Sequence, residues 1–294
     1  VQAKSFLKFL LLIALATVLS SLTVVFGSVP MRVCRRTFGR LAFWFGHLLA
    51  AGAMLAAGLD ALALAFFATA VLTGVFSEIE EHGGSLFTAS ATSLLATAGA
   101  GALAFGGWLH ITKTNFAEMA KTQLAPLTER LAELNPQVQL DVDTILRQLP
   151  SGLAIMAMIS LVVALVWERR VCSWFKLNRP APILDLSSFR VPDLTVWLAM
   201  IVILGAFLHH GIAWLETASV NALNILVVVY FFQGLAVVAR AFRVFRVSPI
   251  WQAIWYVVIV LQLFLLVSFV GFADYWLEFR ERLTRKPAES NKGI

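Results

Sequence analysis

The chain has 294 residues, of which 60% are hydrophobic and only 14% charged, against about 45–50% apolar and about 25% charged in soluble domains. With a mean hydropathy of +0.83, this excludes an ordinary globular enzyme and makes lipid the solvent for most of the chain. There only helices or closed barrels satisfy the backbone. Barrel strands alternate polar and apolar residues, and stretches such as Val196 to Leu208 show no alternation. The expected fold is therefore an all-α, polytopic bundle of transmembrane helices.

A spanning helix needs about 20 apolar residues, and eight stretches qualify, at about 6–27, 41–58, 61–77, 85–110, 151–167, 193–212, 219–239 and 251–273. Together they make one membrane domain over residues 1–294. The first has no small-residue cleavage site ahead of the following arginines, so it reads as a retained span and not a signal peptide. The second and third are short and parted only by Gly58, Leu59 and Asp60, which fits either a tight turn or a re-entrant hairpin. The fourth is built from Ala, Gly, Ser and Thr, with little Leu or Val.

Between the fourth and fifth spans, residues 112–150 form an extramembrane segment. Phe116, Met119, Leu124, Leu127, Leu131 and Leu134 recur at helical spacing, opposite Lys121, Glu129, Arg130 and Glu133, as in an amphipathic helix. Pro126 should kink it. Asn135-Pro136 makes a turn, and Val142, Ile145, Leu146 and Leu149 give a second short amphipathic stretch ending at Pro150. The pair reads as a hairpin on the bilayer surface or as a lid over a cavity.

The net charge of +6 invites a nucleic-acid partner, but the placement of the charges answers otherwise. Arg32, Arg35, Arg36 and Arg40 fall in the first loop, Arg169, Arg170, Lys176, Arg179 and Arg190 in the fifth, and Arg240, Arg243 and Arg246 in the seventh. Twelve of the 23 basic residues thus lie on one side, while the short loops around Asp60 and Glu216 have none. This is a topology signal that puts those three loops in the cytoplasm, and no nucleic acid is expected. Arg280, Arg282, Arg285, Lys286 and Lys292 in the C-terminal tail argue the other way.

Polar residues within spans are costly and point to functional or packing sites. Asn221 and Asn224 share a face near the start of the seventh span, while Gln233 faces away from Asn224, and Gln262 is a candidate interhelical partner. His209, His210 and Glu216 cluster at the end of the sixth span with Trp214, as an interfacial group or as a proton-coupled site. With the two asparagines they are the candidate ligand-binding residues. His47 reads as a packing residue, and Glu78, Glu80, Glu81 and His82 as a solvated acidic loop. In the fourth span, Thr92, Ala96 and Ala100 lie on one small-residue ridge and Ser93, Thr97 and Gly101 on the next. Such ridges admit close helix approach, either within the bundle or against a partner subunit.

Enzyme signatures are missing. There is no HExxH, GxSxG, P-loop or GxGxxG opening a helix, and Asp141-Val-Asp143 sits where a helix cap is expected. Cys34 and Cys172 lack CxxC spacing and sit in Arg-rich connections, so a disulfide or zinc site is not expected. The chain is expected to be neither an enzyme nor a holder of a cofactor or metal.

Certain stretches are familiar in combination. These are Pro30 to Arg40 with Phe38-Gly39-Arg40, Leu149-Pro150 before the fifth span, Val191-Pro192-Asp193-Leu194-Thr195-Val196-Trp197, and Asn221 to Val238 with Tyr230 and Gln233-Gly234. Together they resemble the YybS-like family of bacterial integral membrane proteins, which has been grouped with the S components of energy-coupling-factor vitamin transporters and with MreD-like cell-shape proteins. The resemblance implies a compact bundle with a cavity, in the bacterial inner membrane, and supplies no functional residues to transfer. Two functions follow as expectations: a small-solute binding or transport subunit, or a non-transporting scaffold that docks a membrane partner in an envelope complex.

Overall fold

The computed structural model describes residues 2–134, 141–177, 186–208 and 212–283. The described residues are helical with no strand, in the order α1 Gln2–Leu22, α2 Val24–Ala56, α3 Asp60–Glu81, α4 Leu86–Thr112, α5 Phe116–Leu134, α6 Val142–Trp174, α7 Leu194–Phe207, α8 Ala213–Val244, α9 Pro249–Leu261 and α10 Phe264–Leu277. They fall into two compact units, residues 1–84 with 88–183 and residues 85–87 with 184–294.

Six helices, α1, α2, α3, α4, α6 and α8, are long and apolar enough to cross a bilayer, and the bent pair α9–α10 makes a seventh if taken as one span. The expected eighth full span is corrected by α7, whose 14 residues reach only about 21 Å. The continuous last span is corrected as well, because α9 and α10 meet at 98°. Gln262 lies at that break and is exposed, so it does not serve as a buried interhelical partner. Large apolar side chains such as Leu41, Leu103 and Ile111 are outward-facing, as a lipid solvent allows.

In the first unit, the first loop is replaced by helix. The chain breaks at Thr23 and re-enters α2, whose first half (27–35) is buried. It bends at Gly39, where φ is 84°, a backbone conformation that disfavours a side chain. At Gly27 an added Cβ would strike the Ser20 hydroxyl, so α1 and α2 meet at backbone distance. The turn at Ala57, Gly58 and Leu59 joins α2 to α3, with the Leu59 amide donating to the Met54 carbonyl. Phe43, Phe66, Met31 and Leu12 fill the core. His47 packs between Phe43 and Phe66, with Nδ1 2.8 Å from the Phe43 carbonyl oxygen. Both cysteines are buried, and neither is in a disulfide.

The amphipathic α5 forms at the expected place, and Pro126 lies inside it. The second stretch does not stop at Pro150 but runs on into the fifth span as α6. Asn135 and Pro136 lie outside the described residues.

In the second unit, α8 is the axis, with α7 and α10 both antiparallel to it. Along α7 and its approach, Val191 meets Gln233 and Gly205 faces Ser219. Along α10, an added Cβ at Gly271 would strike the Tyr230 carbonyl, and one at Gly234 the Val267 carbonyl. Helices α8 and α10 therefore meet at backbone distance at Gly234 and Gly271. In α4 the most apolar stretch has no buried residue, while Ala89 and Ser93 nearer its start are buried.

Candidate functional site

Two polar constellations stand out, one in each unit. In the first unit, four arginines of α2 meet four glutamates of α3 and α6. Arg32 Nη2 donates to Glu80 Oε1 and Oε2 at 2.9 and 2.7 Å, and its Nε donates to Glu168 Oε2 at 2.9 Å. Arg36 Nη1 takes the other oxygen of Glu168 at 2.9 Å. Arg35 forks onto Glu81 at 3.0 and 2.7 Å and reaches Glu78 at 2.8 Å, and Arg40 pairs with Glu78 at 2.9 Å. Arg32 is 2% exposed and Glu80 1%, and the Arg32 guanidinium also lies 5.2 Å from the centre of the Phe76 ring.

The acidic residues after the third span are thus not a solvated loop, and the arginines of the supposed first loop are not free loop charges. Helix α2 presents Arg32 and Arg36 one turn apart, and α3 and α6 end at the same level. A planar guanidinium holds two carboxylates in fixed directions with five donors, where a lysine offers a single point charge. The four positive charges are matched by four negative ones, so the set pins α2, α3 and α6 together and has no net charge to attract a ligand.

The second constellation lies wholly in the second unit, where α7 begins and α10 ends beside the middle of α8. Gln233 organises it. Its Oε1 accepts from the Val191 amide and its Nε2 donates to the Gly271 carbonyl, both at 2.9 Å, which fixes the approach to α7 and the wall of α10. Pro192 follows without an amide proton. The Thr195 and Val196 amides turn back to the Pro192 and Asp193 carbonyls, and α7 starts there.

At the other wall, Glu278 ends α10 in a left-handed conformation with φ 47°, folding the chain back on itself. Arg280 Nε then donates to Asp274 Oδ2 at 2.9 Å, and Nη1 to the Phe189 carbonyl at 2.8 Å. These segments enclose a pocket of about 70 Å³. Three buried polar atoms of its lining residues have no hydrogen-bond partner: the donor Arg280 Nη2, the acceptor Asp274 Oδ1 and the hydroxyl Tyr230 Oη. Tyr230 is 4% exposed and the Asp274 side chain 9%.

Depth follows from α8. Between Glu216 and Arg240 it has 23 residues without a charge, about 35 Å of helix, against a hydrocarbon core of about 30 Å. Tyr230 and Gln233 lie inside that interval, so the ends of α7 and α10 meet α8 within its apolar length.

The candidate ligand residues from sequence lie elsewhere. Asn221 and Asn224 are half-buried on α8, and Asn221 donates to its own helix at Thr217. Glu216 is exposed. This pocket is lined by none of the three. His209 and His210 lie outside the described residues. In α4, Ser93 is buried, Thr92 exposed, and Ala96, Thr97, Ala100 and Gly101 half-buried. Added Cβ atoms at Gly99, Gly101, Gly106 and Gly107 would meet open space.

Sequence reasoning passed over Tyr230 and Asp274 as pocket residues. The available signal was that Asp274 is the one charged residue between Arg246 and Glu278, a largely apolar stretch where an ionisable side chain marks function by default.

A family model described as predicted membrane protein (DUF2232) matches residues 5–275. No curated protein and no solved structure matches the chain.

Proposed function

The chain belongs to the DUF2232 family of predicted membrane proteins, and from that premise we propose that it is a small-solute binding subunit of a bacterial inner membrane. Its site is the pocket between α7, α8 and α10, and it performs no catalysis. The observation that carries this reading is the set of buried, unpartnered atoms on residues lining one pocket, Tyr230 Oη, Asp274 Oδ1 and Arg280 Nη2. Buried polar groups are nearly always hydrogen-bonded, and leaving one unmade costs about 1–3 kcal/mol, so three around one pocket are answered most economically by a bound polar molecule that both donates and accepts. Short helices that end inside a membrane and put irregular backbone around a cavity are the usual way such sites are built. The resemblance to S components points the same way.

The test is the thermal stability of the purified protein in lipid nanodiscs against a panel of small cationic, neutral and anionic solutes. At least one should raise the melting temperature, and the joint change Tyr230→Phe with Asp274→Asn should remove the effect. A panel in which no solute shifts the wild type would overturn the reading.

A second reading, docking of a membrane partner subunit, draws on the bare small-residue surface of α4. Thr97→Leu with Gly101→Leu should leave stability unchanged, since an added Cβ at Gly101 meets nothing, while reducing recovery of a crosslinked partner from membranes. Unaltered recovery would remove this reading.

A further inference from the structure

We propose that the end of α6, together with Lys8 of α1, binds the headgroup of an anionic phospholipid. The site lies wholly in the first unit and is independent of the pocket described above.

Depth comes from α6. Between Arg147 and Glu168 it runs for 20 residues without a charge, about 30 Å of helix, which matches a hydrocarbon core of about 30 Å. Arg169 and Arg170 therefore emerge where the hydrocarbon ends. Trp167 and Trp174 stand beside them, both exposed, at the level that tryptophan favours in a bilayer.

Charge gives the sign of the ligand. Lys8 Nζ donates to the Lys176 carbonyl oxygen at 3.1 Å, which brings a cation of α1 to the turn that ends α6. Arg169, Arg170 and Lys176 are exposed. Across residues 1–59 and 144–184 Glu168 is the one acidic residue, and Arg32 and Arg36 occupy both its oxygens. The three glutamates near the end of α3 are taken by Arg32, Arg35 and Arg40. The buried cluster thus neutralises itself, and Lys8, Arg169, Arg170 and Lys176 make no ion pair with it. Like charges gathered at one level repel, and an anion at that level relieves the repulsion.

The surroundings give the class of anion. Trp167, Arg170 and Trp174 share a helix face by their spacing. The Arg170 guanidinium lies 5.7 Å from the centre of the Trp167 ring, and Trp167 meets Trp174 edge-on at 6.5 Å. The aromatic face holds the guanidinium plane, whose fork matches phosphate oxygens. On the membrane side, Trp167 meets Phe26 of α2 edge-on at 6.5 Å, and Phe26 and Val166 are exposed. A phosphodiester that carries acyl chains satisfies both the cations and this apolar surface; a soluble anion satisfies only the cations.

The test is native mass spectrometry of the full chain in detergent micelles, titrated with phosphatidylglycerol, phosphatidylcholine and glycerol 3-phosphate. Phosphatidylglycerol should bind at least tenfold more tightly than either of the others. Arg169→Gln with Arg170→Gln should weaken it by about 25-fold, at about fivefold for each basic residue beside an anionic headgroup, and leave phosphatidylcholine unchanged. Arg169→Lys with Arg170→Lys keeps both charges without the fork and should fall between wild type and the glutamine variant, a graded result that misfolding would not give. Arg240→Gln with Arg246→Gln removes the same charge from the end of α8 and should have less than a threefold effect. Equal affinity for the two phospholipids would overturn the proposal. So would an equal loss in the α8 variant, since the attraction would then belong to net charge and not to this site. Glycerol 3-phosphate binding as tightly as phosphatidylglycerol would overturn the lipid assignment.

Discussion

Replacing Arg32 by methionine removes the cation from the most deeply buried part of the charge cluster while keeping a side chain of comparable length. Glu168 keeps Arg36 at 2.9 Å, but Glu80 loses the ion pair it makes with Arg32 at 2.7 Å. A carboxylate 1% exposed is then left without a counter-charge. Breaking a buried pair from one side costs about 3–5 kcal/mol, because the abandoned charge stays desolvated. At about 2 °C per kcal/mol for a chain of this size, the melting temperature should fall by roughly 6–10 °C. Intrinsic fluorescence of the nine tryptophans in detergent micelles gives the readout. The diagnostic arm is the double change Arg32→Met with Glu80→Gln, which removes the orphaned charge and should restore at least half of the loss. The reasoning is refuted if the single variant melts within about 2 °C of wild type, or if the double variant is less stable than the single one.

Two further changes probe the second unit. Gly271→Ala puts a methyl group into the Tyr230 carbonyl, where only backbone could yield. It should cost about 3 kcal/mol, the upper end for overpacking, seen as a lower melting temperature; Gly99→Ala, which meets open space, should cost nothing by the same assay. Gln233→Leu leaves the Val191 amide unpaired and removes the second bond to the Gly271 carbonyl, at about 1–3 kcal/mol. Hydrogen exchange should then rise at residues 189–195 and 271–277 while the first unit is unchanged.

How much of this was readable in the sequence depends on the range of the interaction concerned. Helix identity, the turn at Gly58 and the amphipathic α5 are set by local hydropathy, turn residues and periodicity, and they stand as expected. The acidic and basic clusters were visible, but their meaning was not. Arg32 and Glu168 are separated by 136 positions, and charges read one loop at a time look like solvated surface. The break between α9 and α10 falls at Leu261-Gln262-Leu263, with no proline or glycine to mark it. The pocket was the least legible of all, since it draws on residues 190–196, 230–233 and 274–281. Asn221 and Asn224 attracted notice as amides in a span, whereas Asp274 fell one residue beyond the assigned limit of its own.

The central claim is that a polar molecule occupies the pocket lined by Tyr230 of α8 and Asp274 of α10. Cryo-electron microscopy of the protein in native-lipid nanodiscs, at a resolution that shows side chains, measures this directly. The account predicts non-protein density in that pocket, within hydrogen-bonding distance of Tyr230 Oη or Asp274 Oδ1. A pocket closed by side chains, with those two atoms bonded to the protein itself, would contradict it.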